Sequence, residues 1–199
     1  MGGSVMASII NATTTGLTVT PDNSGQLTLS ANGVTALTAN TTGYLNFAKQ
    51  PTIGGVEWPA FSAYSNTAQT FVNGVEQKVT FAVENWDTNN NFASSRFTPT
   101  VAGYYQLNFN IGGTFGTTLN GVYVALYKNG SAYSYNGVMS TSGAFIAGNG
   151  LFAEGSNIVY MNGSTDYVEV YGYWAGSGTF TMNTTSQATY FNGCLLRGA

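Results

Sequence analysis

Apolar and polar residues alternate along much of the chain. Between positions 104 and 111, Tyr105, Leu107, Phe109 and Ile111 fall on one side of an extended backbone, and Tyr104, Gln106, Asn108 and Asn110 fall on the other. A period of two with a single apolar side predicts a half-buried antiparallel strand. Residues 78–84 repeat the pattern, with Val79, Phe81 and Val83 opposite Lys78, Thr80 and Glu84. Residues 122–127 are apolar on both sides, which predicts a strand covered on both faces. The Lys128-Asn129-Gly130-Ser131 run after it supplies a tight turn. Further strands fit 158–161, 167–174, 179–182 and 188–196, and no segment carries a helical period. Residues 59–199 therefore predict an antiparallel sandwich of about eight to ten short strands.

The first part of the chain is patterned differently. Gly16, Gly25, Gly33 and Gly43 each precede a short alternating run: Leu-Thr-Val-Thr, Gln-Leu-Thr-Leu-Ser, Val-Thr-Ala-Leu-Thr-Ala and Tyr-Leu-Asn-Phe-Ala. This is a degenerate repeat of turn and strand, and such units bury apolar surface only by stacking on one another or on another chain. A Thr/Gly-rich linker is the alternative reading. Between Pro51 and Pro59 the pattern lapses through Ile53-Gly54-Gly55-Val56. The expected organisation is a repetitive β stalk or anchor at 1–50, a linker at 51–58 and a knob at 59–199.

Composition narrows the functional classes. Of 199 residues, 7 % are charged, against about 25 % in ordinary soluble domains. Thr, Ser, Asn and 26 Gly fill the polar positions instead, a mixture that favours strands and turns over helices. Five basic residues in a chain of formal charge −3 cannot form a clustered positive surface, so nucleic acid is not an expected partner. The absence of histidine removes imidazole as a base or metal ligand. A single cysteine excludes an intrachain disulfide and a thiolate zinc site. No run approaches the roughly 18 apolar residues of a membrane span, and residues 1–10 lack the basic start of a signal peptide. Neither a membrane nor the ordinary secretory route is expected. With so little charge to repel copies, the surface is expected to be covered by further copies of the chain or by other proteins.

Four motifs in order resemble the C1q/TNF-like jelly roll. They are Pro59-Ala60-Phe61-Ser62-Ala63; the stretch from Arg96-Phe97-Thr98-Pro99 through Gly103-Tyr104 to Phe109; Val124-Ala125-Leu126-Tyr127-Lys128-Asn129-Gly130; and Phe191-Asn192-Gly193-Cys194-Leu195-Leu196. The resemblance spans residues 59 to 197, about 70 % of the chain. It implies an all-β jelly-roll sandwich that assembles as a homotrimer, its N-terminal segments leaving together as a stalk. The pattern's late Gly-Asp is replaced here by Gly163-Ser164-Thr165-Asp166, which counts against carrying a metal role over to Asp166. Residues 16–48 are similar in style to repetitive segments of bacteriophage tail and fibre proteins. Together these resemblances imply a structural virion protein. The N-terminal segment would anchor to other proteins of the particle, and the knob would bind a host-surface glycan or protein.

Several side chains invite chemical readings. Glycoside hydrolysis needs two carboxylates across one bond; the available pairs are Glu84/Asp87 and Asp166/Glu169, and solvated loops are the favoured reading of both. Asp87, Asn89 and Asn91 alternate as calcium ligands do, but the same residues form turns. Cys194 is expected as a buried small hydrophobe. Trp58, Trp86 and Trp174 could stack on sugars, with packing favoured for each. Asn11, Asn40, Asn129, Asn162 and Asn183 open glycosylation sequons, which carry little weight without a secretory signal. The preferred contact surface, for a receptor or for the trimer, is the side of 167–174 carrying Tyr167, Tyr171, Tyr173 and Trp174, since amphipathic aromatics suit adaptable recognition. No catalytic residue, metal or cofactor is expected. A capsid or tail decoration without receptor binding is the alternative, and a polysaccharide depolymerase a further one.

Overall fold

The computed structural model describes residues 18–21, 27–31, 33–39, 45–47, 58–116, 118–139 and 150–199, and every regular element among them is a β-strand. The chain divides into two compact units, Met1–Thr52 and Ile53–Ala199. In the first, β1 (Thr18–Pro21), β2 (Leu27–Ala31), β3 (Val34–Ala39) and β4 (Leu45–Phe47) form an antiparallel sheet in chain order. Each glycine-led repeat supplies one strand. The register aligns Val19 with Leu29, Leu29 with Leu37, and Leu37 with Phe47, so the repeat spacing brings equivalent apolar positions into one cross-strand row.

The second unit is a sandwich of two antiparallel sheets. Its strands are β5 (Ala60–Tyr64), β6 (Thr70–Phe71), β7 (Gln77–Lys78), β8 (Val83–Asp87), β9 (Phe92–Ala93), β10 (Arg96–Phe97), β11 (Gly103–Phe115), β12 (Thr118–Lys128), β13 (Ser131–Met139), β14 (Gly150–Met161), β15 (Val168–Ser177), β16 (Phe180–Met182) and β17 (Thr189–Gly198). One sheet runs β13-β12-β15-β10-β9, with β7 also on β15. The other runs β6-β16-β11-β17-β5-β8, with β14 on the far side of β11. Among the described residues the unit has thirteen strands where about eight to ten were expected; seven of them have five residues or fewer, as expected, but β11, β12 and β14 have 13, 11 and 12. Their Asn, Thr and Gly residues do not end a strand, because cross-strand pairing outweighs weak intrinsic preference.

Strand alternation builds the core. Tyr105, Leu107, Phe109 and Ile111 of β11 face inward, as do Val122, Val124 and Leu126 of β12 and Val168, Val170 and Trp174 of β15. Phe61 lies at the centre of an aromatic cluster, 4.3 Å from Phe97, 5.0 Å from Phe92 and 4.9 Å edge-on from Phe191. Gly172 faces inward between Val170 and Trp174, where a Cβ would come within 2.7 Å of both Ile111 and Phe71. Tyr105 donates its buried hydroxyl to the Val101 carbonyl at 2.7 Å.

Residues 78–84 do not form the one strand their alternation predicts. Val79 and Phe81 are buried as expected, but the chain changes sheets there: β7 pairs with β15, and β8 pairs with β5. At this corner Phe81 N–H donates to Ser95 Oγ at 2.9 Å, and Thr80 N–H donates to Gln69 Oε1 at 3.0 Å. Side chains thus replace the ladder partners that the crossing forfeits.

Candidate functional site

The turns at one end of the sandwich explain several acidic and amide residues. In the β12–β13 hairpin Asn129 and Gly130 have φ of 52° and 79°, as a type I′ turn requires. Asn129 donates through Nδ2 to Asp166 Oδ1 at 2.7 Å and accepts Tyr167 N–H on Oδ1 at 2.9 Å. Lys128 pairs with Asp166 Oδ2 at 2.9 Å, and Asn162 N–H donates to the same oxygen at 3.0 Å. The Asn129 hydrogen bond, followed by that of Lys128, holds the Asp166 carboxyl below the usual carboxylate range. Asp166 therefore ties two connections together. Asp87 is similarly committed, its oxygens accepting Asn89 N–H at 3.2 Å and Phe92 N–H at 2.6 Å. Asn91 braces the same turn through Thr100, in keeping with turn formation by Asp87, Asn89 and Asn91.

The outer face of the β12–β15 sheet carries the tyrosines. Tyr173 stacks on Tyr123 with ring centres 4.6 Å apart, and Tyr171 stacks on Tyr127 at 4.0 Å. Tyr135 of β13 meets Tyr123 edge-on at 5.3 Å. Tyr127 donates its hydroxyl to Glu76 Oε2 at 2.5 Å. Burial, with the Glu76 charge adding to it, pushes Tyr123 up to about 12; the hydrogen bond to Glu76 raises Tyr127, and burial raises Tyr171. These hydroxyls stay protonated and uncharged around neutrality. Because the rings cover one another in pairs, the face offers hydroxyl-bearing edges more than open aromatic planes.

Tyr167, Tyr171 and Tyr173 are half-buried, and the last two lie on this outer face. Trp174 does not: it is 0 % exposed, and its indole N–H donates to the Phe71 carbonyl at 3.2 Å. The expectation of Trp174 as a contact is corrected. Odd and even residues of a strand project oppositely, so Trp174 belongs to the core whenever Tyr171 and Tyr173 do not.

Beside the tyrosines lies a charged triad that the alternation alone did not single out. Glu169, 3 % exposed, receives Lys78 Nζ at 2.7 Å and both Arg96 Nε and Nη2 at 2.8 Å on the same Oε1. Burial is the largest influence on this carboxyl and raises it, but the two cations together prevail and hold it below its usual value. The Arg96 guanidinium also sits 3.8 Å above the Tyr167 ring. Glu169 is engaged through Oε1 as counter-ion to both cations, and Asp166 is held in its own turn network.

The outer face of the seven-stranded sheet was not anticipated as a surface. Its centre is an amide and hydroxyl ladder: Gln106 donates to Ser156 Oγ at 2.6 Å, Ser156 to Asn108 Oδ1 at 2.9 Å, and Asn108 to Asn192 Oδ1 at 3.1 Å. Around it Trp86, Tyr104, Phe152, Ile158, Tyr160 and Leu196 are all exposed, with Tyr104 5.5 Å from Tyr160. The signal lay in the period of β14, where Ile158 and Tyr160 share a side opposite Val159 and Met161. Cys194 is exposed on this face, correcting the expectation of a buried thiol. It pairs with Gln106, an outward position, while its neighbour Leu195 takes the inward one.

Among described residues no group of three or more His, Cys, Asp or Glu could hold a metal ion, and no helix is long and apolar enough to cross a membrane. Asn11 and Asn40 lie outside the described residues, as does most of the expected linker. No family model and no curated protein sequence matches the chain. Similar solved structures include an Eiger TNF from S. frugiperda, at TM-score 0.55 and 8 % identity over 71 % of this chain and 94 % of that one. The globular domain of zebrafish complement 1qA protein reaches TM-score 0.49 at 20 % identity, covering 72 % and 100 %. Murine APRIL reaches 0.49 at 10 % identity, covering 70 % and 99 %. The second unit is thus a C1q/TNF-like jelly roll, the all-β class expected from the four motifs.

Proposed function

We propose that the chain is a structural, non-enzymatic fibre or spike protein of a bacteriophage particle. In this reading it is a homotrimer, anchored to other virion proteins through residues 1–50 and binding the host surface through its knob. The observation that carries it is the exposed face of the seven-stranded sheet. Six large apolar or aromatic side chains on one side of a folded unit mark an interaction surface, and a mostly uncharged face suits packing against copies of itself. That leaves the tyrosine face of the other sheet for an outside partner. The glycine-punctuated strands of the first unit support the stalk or anchor role, and their similarity in style to phage fibre segments supports the location. Attachment then works by avidity, since several linked knobs turn weak contacts into stable binding.

Native mass spectrometry of the full chain is expected to give a trimer. The labelled trimer is expected to bind bacterial cells susceptible to the particle saturably, and an excess of it to block particle adsorption. A trimer that neither binds nor competes would replace this reading with a decoration role. Release of reducing ends from surface polysaccharide would overturn the non-enzymatic assignment.

A further inference from the structure

The described part of the chain contains four basic residues, Lys78, Arg96, Lys128 and Arg197. Two of them, Lys78 and Arg96, line one cleft of about 530 Å³ together with Asn90, Ser94, Thr98 and Thr100. Among the described residues the one carboxylate they pair with is Glu169, which both contact through Oε1, so two positive charges face one negative charge. Lys78 Nζ also donates to the Ser94 carbonyl at 2.9 Å. Arg96 spends Nε and Nη2 on Glu169, and among the described residues no acceptor is assigned to its Nη1. The two cations of the cleft thus share one carboxylate, the Arg96 guanidinium has the Tyr167 ring against one face and its Nη1 edge open, and the rim carries amides and hydroxyls.

Backbone strain gathers at the same place. Asn90, Ser94 and Ser95 have φ of 55°, 53° and 58° and are three of the four non-glycine residues with positive φ among the described residues. Ser94 and Ser95 form the β9–β10 turn, where Asn-Gly would be the relaxed choice. Such conformations persist where the surroundings hold them, and they concentrate at ligand-binding sites. Ser95 has a structural reason, since it meets Phe81 at the sheet crossing; Ser94 and Asn90 are exposed on the cleft wall.

We propose that this cleft binds an acidic sugar residue, a monocarboxylate bearing several hydroxyls. The carboxylate would lie against Arg96 and Lys78, and the hydroxyls against Asn90, Ser94, Thr98 and Thr100. A phosphate monoester, at about −1.5 to −2 near neutral pH, calls for more compensation than one net positive charge provides, whereas a planar carboxylate suits the guanidinium fork. A cleft of this size falls in the range of small-ligand sites, roughly 300–1,000 Å³. The inference deepens the attachment reading by naming a ligand class, and rests on it only for the ligand's biological source.

The test is titration of the full-length protein, followed by ligand-observed NMR, with glucuronic acid and N-acetylneuraminic acid, and with glucose and inorganic phosphate as controls. Binding of either acid, with neither control binding, is expected. Asn90→Ala and Thr98→Val keep the ion triad intact and are expected to weaken acid binding several-fold with an unchanged melting temperature. Arg96→Lys keeps the charge but loses the fork, and is expected to weaken it about tenfold. Equal binding of glucose, equal competition by phosphate, or indifference to all three variants would overturn the proposal. Saturable cell binding without acid-sugar binding would overturn the cleft and leave attachment standing; sugar binding without cell binding would support the cleft and remove attachment.

Discussion

Replacing Glu169 with Gln tests the ion triad that joins β7, β10 and β15. The substitution keeps the side-chain shape and removes the charge that Lys78 and Arg96 share at 2.7 and 2.8 Å. Breaking a fully buried pair costs about 3–5 kcal/mol. Here the carboxylate is buried but the cations' side chains are 33 % and 43 % exposed, so water takes up part of the loss and about 2 kcal/mol is the better figure. For a chain of this length that lowers the melting temperature by about 4–8 °C. The pH dependence has a definite sign. The Glu169 carboxyl is held below its usual value in the folded protein, so its contribution is complete above the unfolded-chain value and fades as pH falls through the folded one. Thermal unfolding of both proteins, from neutral pH into acid, should show a gap that is full at neutrality and closes in acid. Combining Glu169→Gln with Lys78→Met should cost less than the two separate losses added. No loss at neutral pH, or a gap unchanged deep into acid, would refute the triad's role.

Three further outcomes follow from other parts of the molecule. Asn129→Ala should lose about 2–3 kcal/mol in a denaturant titration, from two hydrogen bonds and a left-handed backbone, whereas Asn129→Gly should recover about 1 kcal/mol of it. Ile158→Asp, at a position 55 % exposed in the single chain, should leave circular dichroism unchanged but move sedimentation from trimer towards monomer. Cys194 is exposed in the single chain, so a thiol reagent should modify the Ile158→Asp monomer readily and the assembled protein much more slowly; equal rates would place self-association on another surface.

Much of the fold was legible because strands write their burial with a period of two. The alternation of 104–111 marked the inward row of β11, Asn129-Gly130 marked the hairpin, and four glycine-led repeats marked four strands. All of these signals are local. Strand length was misjudged where local preference is weak, since the 13 residues of β11 include Asn, Gly and Thr that hold their places only through pairing with β14, β16 and β17.

The site was less legible for a related reason. Alternation states that two residues lie on opposite faces and leaves open which face meets the core. Tyr171 and Tyr173 share one outward face, but Trp174 could not share it, and Cys194 fell outward because Leu195 took the inward place. The corner at residues 79–82 reads as one strand because burial alternates through it while the pairing partner changes. The Lys78–Glu169–Arg96 triad brings together residues up to 91 positions apart, and no local pattern specifies such a meeting. Sequence by itself determined the strand-forming pattern, the low charge and the turns, because each depends on neighbours along the chain. Tertiary structure decided which charges meet, which face is left open and where the cleft lies, because those depend on the register and stacking of strands distant in sequence.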